Sequence, residues 1–255
     1  MRLIAVILLA LLVAGCASSG TRGDDVQQQG SVDAHASAKI HTELAAVYYE
    51  QHQYSIALDE LKYALGMDSR YAPAYGVRGL VYMALLEDNK AEADFKRSLD
   101  LDGSDSGTRN NYGWFLCQRG RVKESMQQFM AAVKNPLYAT PEKAYLNAGL
   151  CSKQVGKMKE AERYLQTALS IQPQMPEALL GMAELNFANA DYAGAKSYLL
   201  RLSRLGVELG AADLLLAVRI EHKLGDRNAE ASYKLQLRKR FPDSRETQLM
   251  LSGER

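Results

Sequence analysis

Gly79-Leu80-Val81-Tyr82-Met83-Ala84-Leu85-Leu86-Glu87-Asp88-Asn89-Lys90-Ala91-Glu92-Ala93-Asp94-Phe95 is the stretch on which the fold turns. A small residue opens it, a second small residue follows twelve positions later, and a large apolar one stands four beyond that. The same pattern recurs along the chain. The opening small residues are Ala45, Gly79, Gly113, Gly149, Ala183 and Ala217, separated by 34, 34, 36, 34 and 34 positions. The second set is Ala57, Ala91, Ser125, Ala161, Ala195 and Ala229, and the large set is Leu61, Phe95, Phe129, Leu165, Leu199 and Tyr233. Two antiparallel helices approach closely only where side chains are small, so each unit reads as a helix, a turn and a second helix.

A period of 34 with small, small and large residues at these offsets resembles the tetratricopeptide repeat (TPR). The expected fold is all-α, a right-handed TPR superhelical solenoid of six helix-turn-helix repeats. Their expected bounds are 38–71, 72–105, 106–139, 142–175, 176–209 and 210–243, with 244–255 left as a tail or helix end. One pair cannot bury its apolar face alone, so neighbours stack into a continuous core. On this reading Gly79 faces Ala91, and Phe95 fills the space towards the next repeat. The one irregular step, of 36, falls at Thr140-Pro141. Pro141 restrains the residue before it from helix and suits the first turn of a helix after it.

The chain has 255 residues, 47% of them apolar, with 31 basic and 30 acidic side chains and a net charge of +1. That balance gives no electrostatic reason to expect nucleic acid. The basic run Arg238-Lys239-Arg240 is explained by a solvated helix end. His35, His41, His52 and His222 make no metal-ligand spacing, and neither a phosphate-cradling glycine loop nor a nucleophile elbow is present. No catalytic residue, cofactor, metal or small-molecule substrate is expected.

The N-terminus reads separately. Arg2 precedes an unbroken apolar run from Leu3 to Val13, eleven residues, too short for a membrane span of about 20 and suited to a signal-peptide core. It ends in Val13-Ala14-Gly15-Cys16, which resembles the lipobox of bacterial lipoproteins. The resemblance implies a signal peptide over 1–15 and acylation of Cys16, and several acyl chains anchor stably where one does not. Ala17 stands where an aspartate would favour retention in the inner membrane, so the periplasmic face of the outer membrane is expected. Residues 16–37 then carry the lipid and a polar, glycine-containing tether with a typical reach of about 25 Å.

Two cysteines remain, Cys117 and Cys151, on the first helices of repeats three and four. In an oxidising compartment they are expected to pair as a disulfide, the alternative being two buried free thiols. Pairing requires a Cα separation below about 7 Å.

In such arrays the first helices line an inner groove. The candidate contacts there are Tyr49, Leu80, Met83, Asn110, Trp114, Leu146 and Leu150, with Trp114 either an anchor for a partner or a core aromatic. At these positions no convergent basic trio awaits a partner's terminal carboxylate, so recognition by apolar or backbone contacts is expected.

Asn110-Asn111-Tyr112-Gly113-Trp114-Phe115-Leu116-Cys117, Asn135-Pro136-Leu137-Tyr138-Ala139-Thr140-Pro141 and Asn147-Ala148-Gly149-Leu150-Cys151 are more distinctive than a generic repeat. With the lipobox and six repeats, the chain resembles the type IV pilus biogenesis/stability lipoproteins of the PilF/PilW family. The resemblance implies a pilotin, a lipoprotein that helps the pilus secretin reach the outer membrane and form its multimeric ring. The partners it implies are the secretin and, through the acyl chains on Cys16, the outer membrane. A monomeric body is expected. The rival readings are a periplasmic TPR adaptor for cell-wall or outer-membrane-protein machinery and a chaperone of pilin subunits.

Overall fold

The computed structural model describes residues 22–253, with side chains from residue 33 onward. Its described residues form helices alone, divided after Leu101 into two compact units. The first holds α1 (Arg22–Glu50), α2 (Tyr54–Met67), α3 (Ala72–Ala84) and α4 (Asp88–Leu101). The second holds four further pairs: α5 (Ser106–Gln118) with α6 (Val122–Val133), α7 (Pro141–Gln154) with α8 (Met158–Ile171), α9 (Pro176–Ala188) with α10 (Tyr192–Arg204), and α11 (Ala211–Leu224) with α12 (Arg227–Arg240). A short α13 (Arg245–Ser252) follows. The protein is an all-α TPR solenoid.

Each pair is turned by the same backbone device. The first helix ends in a left-handed residue, at His52, Leu86, Gly120, Gly156, Ala190 and Gly225, with φ between 59° and 76°. The next residue's N–H then bonds back five positions, as from Glu87 to the Tyr82 carbonyl at 2.9 Å and from Lys157 to the Ser152 carbonyl at 2.9 Å. This is a Schellman closure, which satisfies carbonyls the helix end would otherwise orphan. Glycine meets the requirement without strain, whereas His52, Leu86 and Ala190 meet it against the Cβ clash of the left-handed region.

The small residues of the repeat are buried, and the large residue of the same pair lies over the first of them. A methyl built on Gly79 would lie 2.8 Å from the Phe95 ring, one on Gly113 2.7 Å from the Phe129 ring, and one on Gly149 2.7 Å from Leu165. The first small residue therefore makes room for the large residue of its own pair. Leu165 is also 2.9 Å from a methyl built on Gly181 in α9, so it is wedged between two successive first helices. Ala229 and Tyr233 of the last pair are only half-buried, in keeping with an end repeat wetted on one side.

Two features depart from the tether and tail expected at the ends. The segment expected to be flexible up to Ser37 is helical from Arg22, as the first part of α1. It lacks proline, and glutamines and alanines lose little freedom in a helix. Once the later turns dock on α2 and α3, propagation backwards adds one hydrogen bond per residue without the cost of a new nucleus. At the other end α13 packs on α11 and α12. Its start is capped by Ser244, whose hydroxyl accepts from the Thr247 N–H at 3.2 Å. Cys16 and the signal segment 1–15 lie outside the described residues.

The irregular connection 134–140 is held by Asn135. Its Nδ2 donates to the Ser104 carbonyl at 3.2 Å and to Ser106 Oγ at 3.1 Å, and its Oδ1 accepts from the Leu137 N–H at 3.0 Å. The side chain thus replaces the backbone bonds that a shorter link would make, and α7 begins at Pro141.

Candidate partner-binding surface

Within each unit successive first helices pack directly on one another: α1 on α3, α5 on α7, α7 on α9, α9 on α11, and α11 on α13. That packing decides the fate of the expected groove residues. Leu146 is a core residue at 8% exposure, seated with Leu165, Leu179 and Met182. Asn110 is buried too, and its Oδ1 accepts a 3.0 Å hydrogen bond from Asn147 Nδ2 on the neighbouring first helix. Both lie in the interior, because where first helices touch, the facing positions become interface and not lining. Tyr49 is half-buried on the core of the first unit, its ring centroid 6.1 Å from that of Tyr54, and burial pushes its hydroxyl pKa up. Leu80, Met83 and Leu150 are half-buried, and Leu150 reaches to 3.5 Å from a methyl built on Gly181.

Of its two readings, Trp114 is in part the core aromatic. It packs on a cluster that includes Cys117, Phe129, Ala148, Cys151 and Tyr164, and it keeps part of its ring in solvent. Beneath it the Cys117 and Cys151 sulfurs are joined in a disulfide, with a Cα–Cα distance of 6.0 Å. The bond ties α5 to α7, two first helices, and Ser125 Oγ lies 3.7 Å from the Cys151 sulfur.

Charged side chains fix the first helices further. Arg78 donates to Asp94 through Nε at 2.6 Å and Nη2 at 2.8 Å, and its guanidinium lies 5.2 Å from the centroid of Tyr75. The hydrogen bonds to Asp94 hold the Arg78 pKa above its ordinary value, against the opposing effect of burial. Lys153 on α7 pairs with Glu184 on α9. Lys196 on α10 pairs with buried Glu221 on α11 at 2.7 Å and with Asp226 at 3.3 Å, and these bonds raise the lysine's pKa. Every one of these contacts joins elements of a single unit, and among the described residues no group of three His, Cys, Asp or Glu side chains is arranged to hold a metal ion.

The most open apolar surface lies on the first pair, outside the expected groove. Ile40, Leu44 and Val47 follow one face of α1 and are 58%, 39% and 53% exposed. Ala38, Thr42 and Ala45, on the opposite face, are buried. On α2 the exposed Ile56, Tyr63 and Met67 share another face. His41 joins the two helices: its Nδ1 is 2.6 Å from Glu60 Oε2 and its ring 5.9 Å from that of Tyr63. An earlier repeat would cover this surface, but among the described residues nothing does. End faces of solenoids are ordinarily polar, so an apolar one marks an interaction surface. The repeat register could not reveal it, since it counts positions inside a pair. The i, i+4, i+7 spacing of Ile40, Leu44 and Val47 was the available signal.

A stack of helix pairs whose described residues leave an apolar face bare is an interaction scaffold of the tetratricopeptide class, and the tetratricopeptide repeat family matches residues 154–217. Comparison with known proteins narrows this. The type IV pilus assembly protein PilF of Pseudomonas aeruginosa is 29% identical over 243 residues, 95% of each chain. The crystal structure of PilW, a widely conserved type IV pilus biogenesis factor, superposes with a TM-score of 0.76 at 36% identity, covering 84% of this chain and 98% of PilW. The structure of Pseudomonas aeruginosa PilF gives a TM-score of 0.79 at 28% identity over 88% of this chain and all of that one. The chain belongs to the PilF/PilW family of type IV pilus biogenesis TPR proteins.

Proposed function

We propose that this chain is a lipid-anchored pilotin that carries the type IV pilus secretin to the outer membrane and promotes its multimerisation. The observation that carries the reading is the apolar face of Ile40, Leu44 and Val47, which sits on the same helix that leads back towards Cys16. An amphipathic segment of a secretin subunit fits such a face by laying its own apolar side chains against it. Acyl chains on Cys16 hold the protein at the periplasmic side of the outer membrane. Joining anchor and docking face on one chain raises the local concentration of bound subunits without any new contact between them.

The helical start of α1 refines this mechanism. At 1.5 Å per residue, Ile40 stands roughly 27 Å along the helix from Arg22. Only residues 17–21 separate Arg22 from Cys16. A helical spacer from Arg22 onward in place of a coil narrows the range of distances between lipid and docked partner, and so restricts where a bound subunit meets the membrane.

The test separates anchor from face. Cys16→Ala should leave a folded protein in the wrong compartment, with secretin multimers reduced or in the wrong membrane. Leu44→Glu with Val47→Glu should leave a correctly placed lipoprotein that no longer supports heat-resistant multimers on a gel. Normal multimers in the outer membrane of both variants would refute the pilotin reading. Intact multimers with absent pili would favour a pilin chaperone, and defects in cell shape or permeability would favour an adaptor of cell-wall machinery.

A further inference from the structure

A second opening lies in the other unit, between the end of α9, the start of α10, and helices α11, α12 and α13, with a volume of about 540 Å³. That is within the range of sites that hold a compact ligand or a few side chains of a peptide. Its apolar wall includes Phe187, Leu215 and Met250. Its polar wall is basic. Arg219 and Lys223, four residues apart on one face of α11, and Lys234 of α12 all line it. Glu230 is the acidic side chain of the lining, and it is already engaged: Lys234 Nζ lies 2.5 Å from one of its oxygens and His222 Nδ1 3.3 Å from the other. Three basic side chains therefore share the lining with one carboxylate.

Arg219 is the telling member. Its Nε is buried and has no hydrogen-bond partner among the described residues. Neither does Arg219 or Lys223 form an ion pair there, although Arg240 reaches Glu208 and Lys196 reaches Glu221 and Asp226 in the same unit. A buried donor left unpaired on a charged group is costly, and in native proteins such a group is often completed by a ligand, water or ion. Arg219 lines the cleft, and a guanidinium there takes a carboxylate in two parallel hydrogen bonds. The neighbouring apolar wall suits a bulky side chain next to that carboxylate. No basic trio is legible at the first-helix positions of the sequence; folding assembles this one from two helices of the last pair.

We propose that this cleft docks an acidic peptide segment of a partner protein, with a carboxylate on Arg219 and Lys223 and an adjacent apolar side chain against Phe187, Leu215 and Met250. The site is separate from the apolar face of α1 and does not depend on the secretin reading.

The experiment selects from a random heptapeptide display library on the full-length chain in detergent, then measures the enriched peptides by fluorescence anisotropy. The expected peptides pair Asp or Glu with Phe, Leu, Met or Trp, bind more weakly as salt is raised, and lose affinity at least tenfold on Arg219→Met. Lys223→Glu, at an exposed position, should weaken them severalfold. Arg219→Met keeps the packed stem and removes the unpaired donor, so it should melt at or above the wild-type temperature. Enriched peptides without acidic bias, no enrichment, unchanged affinity for Arg219→Met, or a clear loss of stability in that variant would each overturn the proposal. Arg219-dependent binding to phosphatidylglycerol vesicles without any peptide would overturn it in favour of a membrane surface.

Discussion

Replacing Gly113 with alanine sets two effects of known sign against each other. Within a helix the change gains about 1 kcal/mol from backbone entropy and propensity. Against this, the new methyl would lie 2.7 Å from Phe129 Cε1 and 2.8 Å from Cδ1, where ordinary contact begins at 3.4 Å. The ring would have to retreat by 3.4 − 2.7, or 0.7 Å. Phe129 is fully buried and packed among Cys117, Cys151 and Tyr164, and the disulfide keeps α5 and α7 from spreading. Overpacking of that kind costs about 1–3 kcal/mol. The net expectation is a loss of up to about 2 kcal/mol, a fall in Tm of up to roughly 8 °C for a domain of this size. Urea denaturation followed by circular dichroism measures it. Gly66→Ala is the control, because a methyl there meets nothing within 4 Å, and it should be neutral or slightly stabilising. Phe129→Leu should relieve the clash, so the double variant loses less than the sum of the singles by about 1 kcal/mol. A Gly113→Ala protein as stable as wild type, with no coupling to Phe129→Leu, would refute the account of why the repeat opens on glycine.

Reducing the Cys117–Cys151 bond, which spans 34 residues, should cost about 3–4 kcal/mol in the chain-entropy model, read as a lower urea midpoint with dithiothreitol. An unchanged midpoint after both thiols are shown to be free would contradict this. Leu86 is 78% exposed with a φ of 60°, so Leu86→Gly should gain about 0.5–1 kcal/mol by removing left-handed strain that glycine does not feel. A destabilised variant would mean that Leu86 makes a contact worth more than its strain.

The repeat was legible because it encodes contacts that recur. Gly79 with Phe95 and Gly113 with Phe129 satisfy one steric rule at two places, and a period of 34 is the trace of that rule in sequence. What a residue touches was less legible than where it lies. The pattern placed the small residues but did not show that the Phe95 ring lies over Gly79, since spacing along a helix does not say how far a phenylalanine ring extends. The left-handed turn was harder still. It recurs in all six pairs, yet glycine marks it in three and His52, Leu86 and Ala190 hide it in the others. Helix propagation into residues 22–37 was missed for a further reason. That stretch has no apolar period of its own and draws its order from the docked part of α1.

The expected groove was read from the regular middle of the array, and there Asn110 and Leu146 proved to be interior residues, because regularity means that each helix already has a neighbour. A repeat that satisfies its own surface leaves little for a partner. Two places left open among the described residues are at the first and last pairs: the bare apolar face of α1 and α2, and the basic cleft where α13 packs beside α11 and α12. Their chemistry differs accordingly. Ile40, Leu44 and Val47 offer area without charge, a surface for an amphipathic segment, whereas Arg219 offers one buried donor that selects a carboxylate. Variants at the first should abolish binding of apolar segments independently of salt, and variants at the second should remove only the salt-dependent component. A partner whose binding responds to both sets would have to carry both an apolar segment and an acidic one.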